Sequence, residues 1–244
     1  MTDHAATWDR YAAAYQAAAH LPTDVVNYGP DIPTEADLRL LGDLKAKRVM
    51  DLGSGGGQST IAFARHGAIA TGVDFSTEQI AFARRLAETH GVKAEFRVGD
   101  LADLAFLRGD SVDAVFSANA FSYVEDLGRV FRQVHRVLKV GAPLVFSLTH
   151  PARQMIDEDA EQPLLVRHSY FDRSAMMREQ GDVTLTEYPH SFADLAMGLI
   201  RSSYHVEAIL EPEPVSSGPR SAFWREAYRY VPRTIIFKAR KEGD

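Results

Sequence analysis

The sequence predicts an α/β fold: a Rossmann-like, doubly wound and mostly parallel seven-stranded sheet with an antiparallel edge strand and a substrate-covering insertion. Three observations carry this prediction. Between residues 48 and 148, short apolar runs alternate with amphipathic runs of helical length, the pattern of a parallel sheet covered on both faces. A glycine cluster, Asp51-Leu52-Gly53-Ser54-Gly55-Gly56-Gly57, lies between the first such strand and the helix after it. The next strands end in Asp74, Asp100 and Asn119, polar residues that a parallel sheet gathers along its carboxyl edge.

The elements follow in order. Residues 1–45 read as a helical cap, with helices over 8–20 and 34–44 separated by the turn Asn27-Tyr28-Gly29-Pro30. Thr34 with Asp37 three residues on resembles a capped start. Residues 46–150 form the cofactor-binding core. Its strands are Arg48–Leu52, 69–73, 94–98, 112–117 and 144–148, and its helices 58–66, 76–90 and 124–138. Gly67 stops the first helix; Ser76 caps the second, with Gln79 at the capping-box position. After Pro151 the alternation lapses. Residues 152–188 are charged and aromatic, hold Met176 and Met177, and show no clean period, so 151–190 reads as an insertion or lid. Residues 191–240 bring a helix over 191–200, the strand Tyr204–Leu210, a Pro- and Ser-rich loop over 211–218 and a strand over 234–239. The two late strands supply the antiparallel edge of one domain spanning 1–244.

Composition narrows the function. With 244 residues, 45% hydrophobic, the chain can bury about 70–75% of its unfolded surface and is not disordered. No run approaches the ~18 apolar residues of a membrane span, and the polar start over 1–10 does not resemble a secretory leader, so a cytoplasmic protein with no membrane partner is expected. Lys and Arg total 27 against 33 for Asp and Glu, the wrong balance for gripping phosphates, and no nucleic acid partner is expected. The absence of cysteine excludes disulfides, thiolate metal sites and cysteine nucleophiles. The His and Asp spacing shows no ligand pattern, so no metal is expected.

The glycine loop lets a ligand approach backbone N–H groups at a helix N-terminus. It is not a dinucleotide fingerprint, because position 58 is Gln where GxGxxG needs Gly, and it lacks the lysine of a phosphate loop. It begins instead with Asp51, which favours a ligand carrying positive charge. Asp74, about 20 residues on, is placed as the acid that accepts two ribose hydroxyls, and Asp100 as an acceptor for the adenine amino group.

Asp-x-Gly-x-Gly-x-Gly at 51–57, Val-Asp-Phe-Ser at 73–76, Gly-Asp-Leu at 99–101, and Val-Glu-Asp-Leu with Arg-Val-Leu-Lys-Val-Gly within 124–141 resemble the small-molecule class I methyltransferases that use S-adenosylmethionine. The closest look is to the group of ubiquinone and menaquinone biosynthesis C-methyltransferases and antibiotic-tailoring enzymes. The resemblance runs from about residue 8 to 239 and is strong over 48–150. It implies that Gly53 and Gly55 approach the methionine part, Asp74 holds the ribose, Asp100 and Leu101 bracket the adenine, and Asn119 lies near the methionine amino group. It also implies an N-terminal aromatic, Tyr15 or Tyr28, over the cofactor. Asp51, Ser54, Gly57, Gln58, Phe75 and Phe121 complete the cofactor-binding set; Ser54 departs mildly from the family's usual Cys or Thr. The product is S-adenosylhomocysteine. The acceptor is a small-molecule substrate methylated on oxygen, nitrogen or activated carbon, with natural-product tailoring among the settings. Ser117-Ala118-Asn119-Ala120 lacks the Asn/Asp-Pro-Pro-Tyr/Phe motif, which argues against adenine or glutamine-amide methylation.

Two of the nine histidines stand where a base is useful. His190 follows Tyr188-Pro189 at the end of the insertion, and His150 follows the fifth strand; a histidine there can take a proton near neutral pH. His190 is the first candidate and His150 the second. Phe223, Trp224, Tyr228 and Tyr230 read as core or as a dimer contact ahead of a substrate box, which leaves a homodimer open. The rival from another class is a non-catalytic S-adenosylmethionine-binding regulator or scaffold, which would keep the same residues.

Overall fold

In the computed structural model, which describes residues 4–243, the expected alternation becomes α1 (His4–Ala19), α2 (Glu35–Leu38), β1 (Arg48–Leu52), α3 (Gln58–Arg65), β2 (Ile69–Asp74), α4 (Thr77–Thr89), β3 (Glu95–Val98), β4 (Ala114–Ala118), α5 (Leu127–Val137), β5 (Pro143–Thr149), β6 (Met176–Gln180), β7 (Val183–Glu187), α6 (Phe192–Arg201), β8 (Tyr204–Leu210) and β9 (Thr234–Lys241). Seven strands pair in the order β3-β2-β1-β4-β5-β9-β8. β1 to β5 are mutually parallel, and β9 runs antiparallel to both β5 and β8. The order reverses between β1 and β4, which is where an open α/β sheet leaves a crevice at its carboxyl edge.

The sheet is buried on both faces, and β5 shows how. Leu144, Phe146 and Leu148 join Phe131, Val134, Leu195 and Leu199 on the face covered by α5 and α6. Val145, between them, joins Phe116, Phe63, Tyr28 and Leu41 on the other. This period of two explains why the strand reads as an apolar run broken only by Ser147, whose hydroxyl donates to the Tyr28 carbonyl at 2.6 Å. Among the described residues no helix is long and apolar enough to cross a membrane.

Two expectations needed correction. The helix expected over 34–44 stops at Leu38, with Arg39 left-handed at φ 51°. The Glu35 carboxylate causes this by accepting the N–H groups of Leu40 and Leu41 at 3.0 and 2.8 Å. The backbone is thereby satisfied outside a helix, and both leucines turn into the core. The insertion is also more regular than expected. It holds the hairpin β6–β7, turned by Gly181-Asp182 with Gly181 at φ 63°. A Gly-Asp pair between two strand-like runs is a hairpin signal, masked here by the charges on either side. Residues 151–155 form a 3₁₀ turn.

The hairpin and α1 together roof the crevice. Tyr11, Val183 and Leu185 form a small core with Trp8, Tyr15 and Tyr123 packed against it. Asp9 fixes α1 to the start of α4, accepting from the hydroxyls of Ser76 (2.6 Å) and Thr77 (3.0 Å) and the N–H of Glu78 (3.1 Å). Of the late aromatic group, Tyr228 is buried, Phe223 and Trp224 are half-buried, and only Tyr230 stands 73% exposed.

Gly57, the residue before α3, has φ 78°, and a Cβ there would sit 2.6 Å from Phe96 and 2.7 Å from Ala83. Gly57→Ala therefore adds an overpacked methyl to an unfavourable backbone. Urea denaturation should show a loss of about 2–4 kcal/mol; a loss below about 1 kcal/mol would mean that the loop yields.

Candidate functional site

β1 delivers Asp51 to the carboxyl edge, and the glycine loop follows at once. The loop is held by its own backbone: the N–H groups of Gly53 and Ser54 both donate to the Val73 carbonyl, at 2.8 and 3.0 Å, and Gly57 donates to Ser54 at 2.9 Å. Gly53 must lack a side chain because Ala120, in the 3₁₀ turn after β4, would meet its Cβ at 2.1 Å. Gly55 is different. It is left-handed, and nothing lies nearer to its Cβ position than Gln79 Oε1 at 3.9 Å, so its face is open to a ligand.

Asp51 is 2% exposed, and its Oδ2 accepts the Thr60 hydroxyl at 2.6 Å. Burial, with the nearby charge of Asp74, outweighs that bond, and its carboxyl is pushed up to about 7. Asp74, at the end of β2, accepts the N–H of Gly55 and of Ser76, each at 2.9 Å. Burial raises its pKa while these two bonds oppose the rise. Asn119 ends β4 in the left-handed region at φ 59°, a costly conformation for a residue with a side chain and one that clusters at functional sites.

Tyr15, Asp51, Gly53, Ser54, Gly55, Gln58 and Asn119, all expected at the site, line one cavity together with Asn27, Gly29 and Pro30. Its volume is about 50 Å³, well below the ~300–1,000 Å³ of a ligand pocket. Gln16 of α1 lies over the neighbouring part of the loop. Its amide accepts from Gln58 Nε2 at 2.5 Å and donates to Gln79 Oε1 at 2.8 Å, and it lies where a side chain at 56 would go.

Other expected residues lie elsewhere. Tyr28 is fully buried against Phe116, its hydroxyl donating to Glu35 at 2.5 Å, so its ring belongs to the core; only its neighbour Gly29 reaches the cavity. Phe121 is likewise buried, against Phe131 and Phe146, because the 3₁₀ turn directs it inward and Ala120 toward Gly53. Gly57 serves packing. Phe75, Asp100 and Leu101 are outside the cavity lining. Leu101 is buried in the core, and Asp100 is exposed, accepting the Ala102 N–H at 2.8 Å. Gln79 does not complete a capping box: its N–H reaches Ser76, while its side chain turns to Gln16 and its Nε2 is buried without a partner.

The two histidines differ. His150 Nδ1 accepts the Ala152 N–H at 3.0 Å, which leaves the proton on Nε2 to donate to Glu211 at 2.7 Å. Both nitrogens are spent, one on capping the 3₁₀ turn and the other on the hydrogen bond to Glu211, so His150 has no free lone pair for a base. His190 Nε2 donates to the Val124 carbonyl at 2.8 Å, and burial lowers its pKa against that bond. The ring is neutral at pH 7, with Nδ1 as the basic nitrogen. Neither histidine lines the cavity.

The sequence reading missed Gln16 and the charges of the roof. Arg153 pairs with Glu158, and Arg178 bonds Glu187 at 2.8 Å and approaches Glu158 at 3.4 Å. Burial alone would raise Glu158, but the two guanidinium groups hold it below the usual range. The pairs Arg153–Glu158 and Arg178–Glu187 are near in the chain, and the fold of the insertion joins them through Arg178 and Glu158. Locally each is one more charge in a charged stretch.

Residues 50–146 match a family described as a methyltransferase domain. The chain is 29% identical over 177 residues to an uncharacterized methyltransferase of Bacillus subtilis, covering 69% of each chain. It is 35% identical over 105 residues to a ubiquinone biosynthesis O-methyltransferase of Xanthomonas oryzae, covering 43% of this chain and 44% of that protein. The chain thus spans less than half the length of that relative. An S-adenosylmethionine dependent methyltransferase from Mesorhizobium loti shares the fold with a TM-score of 0.67 and 25% identity, over 84% of this chain and 96% of that one.

Asp51 makes the free protein pH-sensitive. Its pKa rises from 3.8 to about 7 on folding, so the folded state binds the extra proton, and stability falls as pH rises from about 4 to 7 and is level beyond. Asp51→Asn keeps an acceptor for Thr60 and removes the charge. Urea titrations should find the variant more stable at pH 8, by on the order of 2–4 kcal/mol, and little changed at pH 4. Equal stability at pH 8 would show that the carboxylate is solvated.

Proposed function

Because the chain is a class I S-adenosylmethionine-dependent methyltransferase, we propose that it methylates an oxygen, nitrogen or activated carbon of a small-molecule substrate, with natural-product tailoring as one setting. The cytoplasm is the proposed location, on the lack of cysteine.

The observation that supports the reading most is the donor set of the cavity. A buried acid, Asp51, stands beside the Asn119 and Gln58 amides and the open face of Gly55. Such a set suits a cationic amino acid moiety and not a pyrophosphate. In this reading Asp51 and Asn119 hold the ammonium end. Asp74 has lone pairs beyond those given to Gly55 and Ser76 and accepts the ribose hydroxyls. The ends of β2 and β3, with Phe75, Asp100 and Leu101, then take the adenine. Entry requires Gln16 to leave Gly56, which α1 can allow while Asp9 keeps its hold on α4.

Bound S-adenosylmethionine supplies a methyl group on a sulfonium for in-line displacement, leaving S-adenosylhomocysteine. The chain contributes alignment, which can be worth several kcal/mol, and a roof of α1 and the β6–β7 hairpin that excludes water. His190, neutral and with Nδ1 unprotonated, is the proposed base for an ionisable acceptor.

S-adenosylhomocysteine at about 100 times its Kd should add roughly 2.7 kcal/mol, or about 5–10 °C in Tm. NAD should add nothing. No shift with either, or the same shift with both, would remove the cofactor assignment.

His190→Ala should lower kcat by about 10²–10⁴ with cofactor affinity kept. Because burial lowers the His190 pKa and the neutral ring is active, the wild-type rate should rise with pH through a limb below about 6.5, and the variant should lose that limb. A variant with normal turnover and the same limb makes His190 structural.

A further inference from the structure

The roof holds more guanidinium donors than its own acids can use. Arg153 and Arg178 divide Glu158 and Glu187 between them. Arg233, just before β9, faces Asp31 at 3.6 Å, beyond hydrogen-bond reach. That carboxylate is already taken by Ser221, through its N–H at 2.8 Å and its hydroxyl at 2.5 Å. Arg153 Nε, Arg178 Nη2 and Arg233 Nη1 are buried without an acceptor, whereas only one acidic oxygen of the cluster, Glu158 Oε2, is buried without a donor. Each of these cations has an ion-pair partner, but a buried N–H left without an acceptor is costly, and a guanidinium does not shed its proton to escape. The arrangement is built to receive an acceptor from outside the chain.

Aromatic surface leads from this charge to the cofactor cavity. The Arg233 guanidinium lies 5.8 Å from the Phe223 ring centre and 5.2 Å from that of Tyr228. Phe223 meets Tyr15 at 5.8 Å with ring planes 31° apart, and Tyr15 lines the cavity beside Asn119. Pro30, also in the lining, is the chain neighbour of Asp31. A flat molecule lying against Tyr15 and Phe223 thus has one end near the cavity and the other near Arg233.

We infer that the methyl acceptor is an aromatic carboxylate whose ring lies against Tyr15 and Phe223 and whose carboxylate is bound by Arg233. This rests on the methyltransferase reading above. A carboxylate matches the planar fork of a guanidinium. A phosphate would bring a second negative charge to a place already holding Asp31 and Glu158.

The test titrates matched pairs onto the full-length protein saturated with S-adenosylhomocysteine, by calorimetry. The pairs are benzoic, salicylic, 3,4-dihydroxybenzoic and indole-3-carboxylic acids, each with its primary amide, and phenyl phosphate is a further ligand. At least one acid should bind about 10–100-fold tighter than its amide. Arg233→Met should reduce that preference to less than about threefold. Asp31→Asn removes the competing carboxylate and should increase the preference, a gain that a merely structural Arg233 does not predict. Arg233→Lys, which keeps the charge and loses the fork, should retain a smaller preference and serves if the methionine variant does not fold. The inference is overturned if every pair in the wild type agrees within about threefold, if Arg233→Met keeps the preference, or if phenyl phosphate binds tighter than benzoate. The titration also separates the two readings. Failure of S-adenosylhomocysteine itself to bind removes the methyltransferase reading and this one with it, whereas its binding without acid preference removes this one alone.

Discussion

A carbon placed on Gly53 would sit 2.1 Å from the Cβ of Ala120, so the ends of β1 and β4 lie this close only while position 53 has no side chain. The rest of the crevice follows from that approach. With Ala120 pressed against the loop, the chain after β4 turns at once. Asn119 takes a left-handed conformation, and Phe121 is directed into the core under β5. The loop in turn is pinned to the Val73 carbonyl, which leaves Gly55 with its open face to the cavity. One close packing contact thus decides which residues are support and which face a ligand.

Around this point the chain accepts unfavourable electrostatics. Asp51 is buried, with its carboxyl pushed up to about 7, and Asp74, half-buried, stands near it with its pKa raised. Two such acids near one glycine loop destabilise the free protein above the pH at which they ionise. Above the crevice the charges balance, Arg153, Arg178 and Arg233 against Glu158, Glu187 and Asp31. What is in surplus there is hydrogen-bond donors, since these arginines keep buried N–H groups without acceptors.

The roof is assembled from segments far apart in the chain, and its stability is correspondingly modest. α1 rests on a small aromatic and aliphatic core shared with β7, and on the three bonds made by Asp9. Gln16 then closes the loop from above, through Gln58 and Gln79. Each such hydrogen bond is worth about 1 kcal/mol net. The sheet beneath is held by a continuous core and does not need to move.

Periodicity and turn chemistry are local properties, and they made the sheet, its helices and the glycine loop legible in the sequence alone. Asp51, Gly55 and Asn119 meet at one cavity because the carboxyl ends of parallel strands converge by topology, whatever the side chains do afterwards. What the sequence could not give was direction and partnership. Tyr15 and Tyr28 are equally plausible aromatics in the same segment. Only packing against Phe116 and the bond to Glu35 send Tyr28 into the core and leave Tyr15 at the cavity. His150 directly follows a strand and His190 a Tyr-Pro pair, and only the Ala152 N–H and Glu211 take both nitrogens of the first. Gln16, Arg153, Arg178 and Arg233 carry no local signal at all. Their environment is completed by contacts between distant segments, such as Gln16 with Gln79 and Arg233 with Asp31, and a side chain's burial, charge balance and hydrogen-bond partners are set by those contacts as well as by its neighbours in the chain.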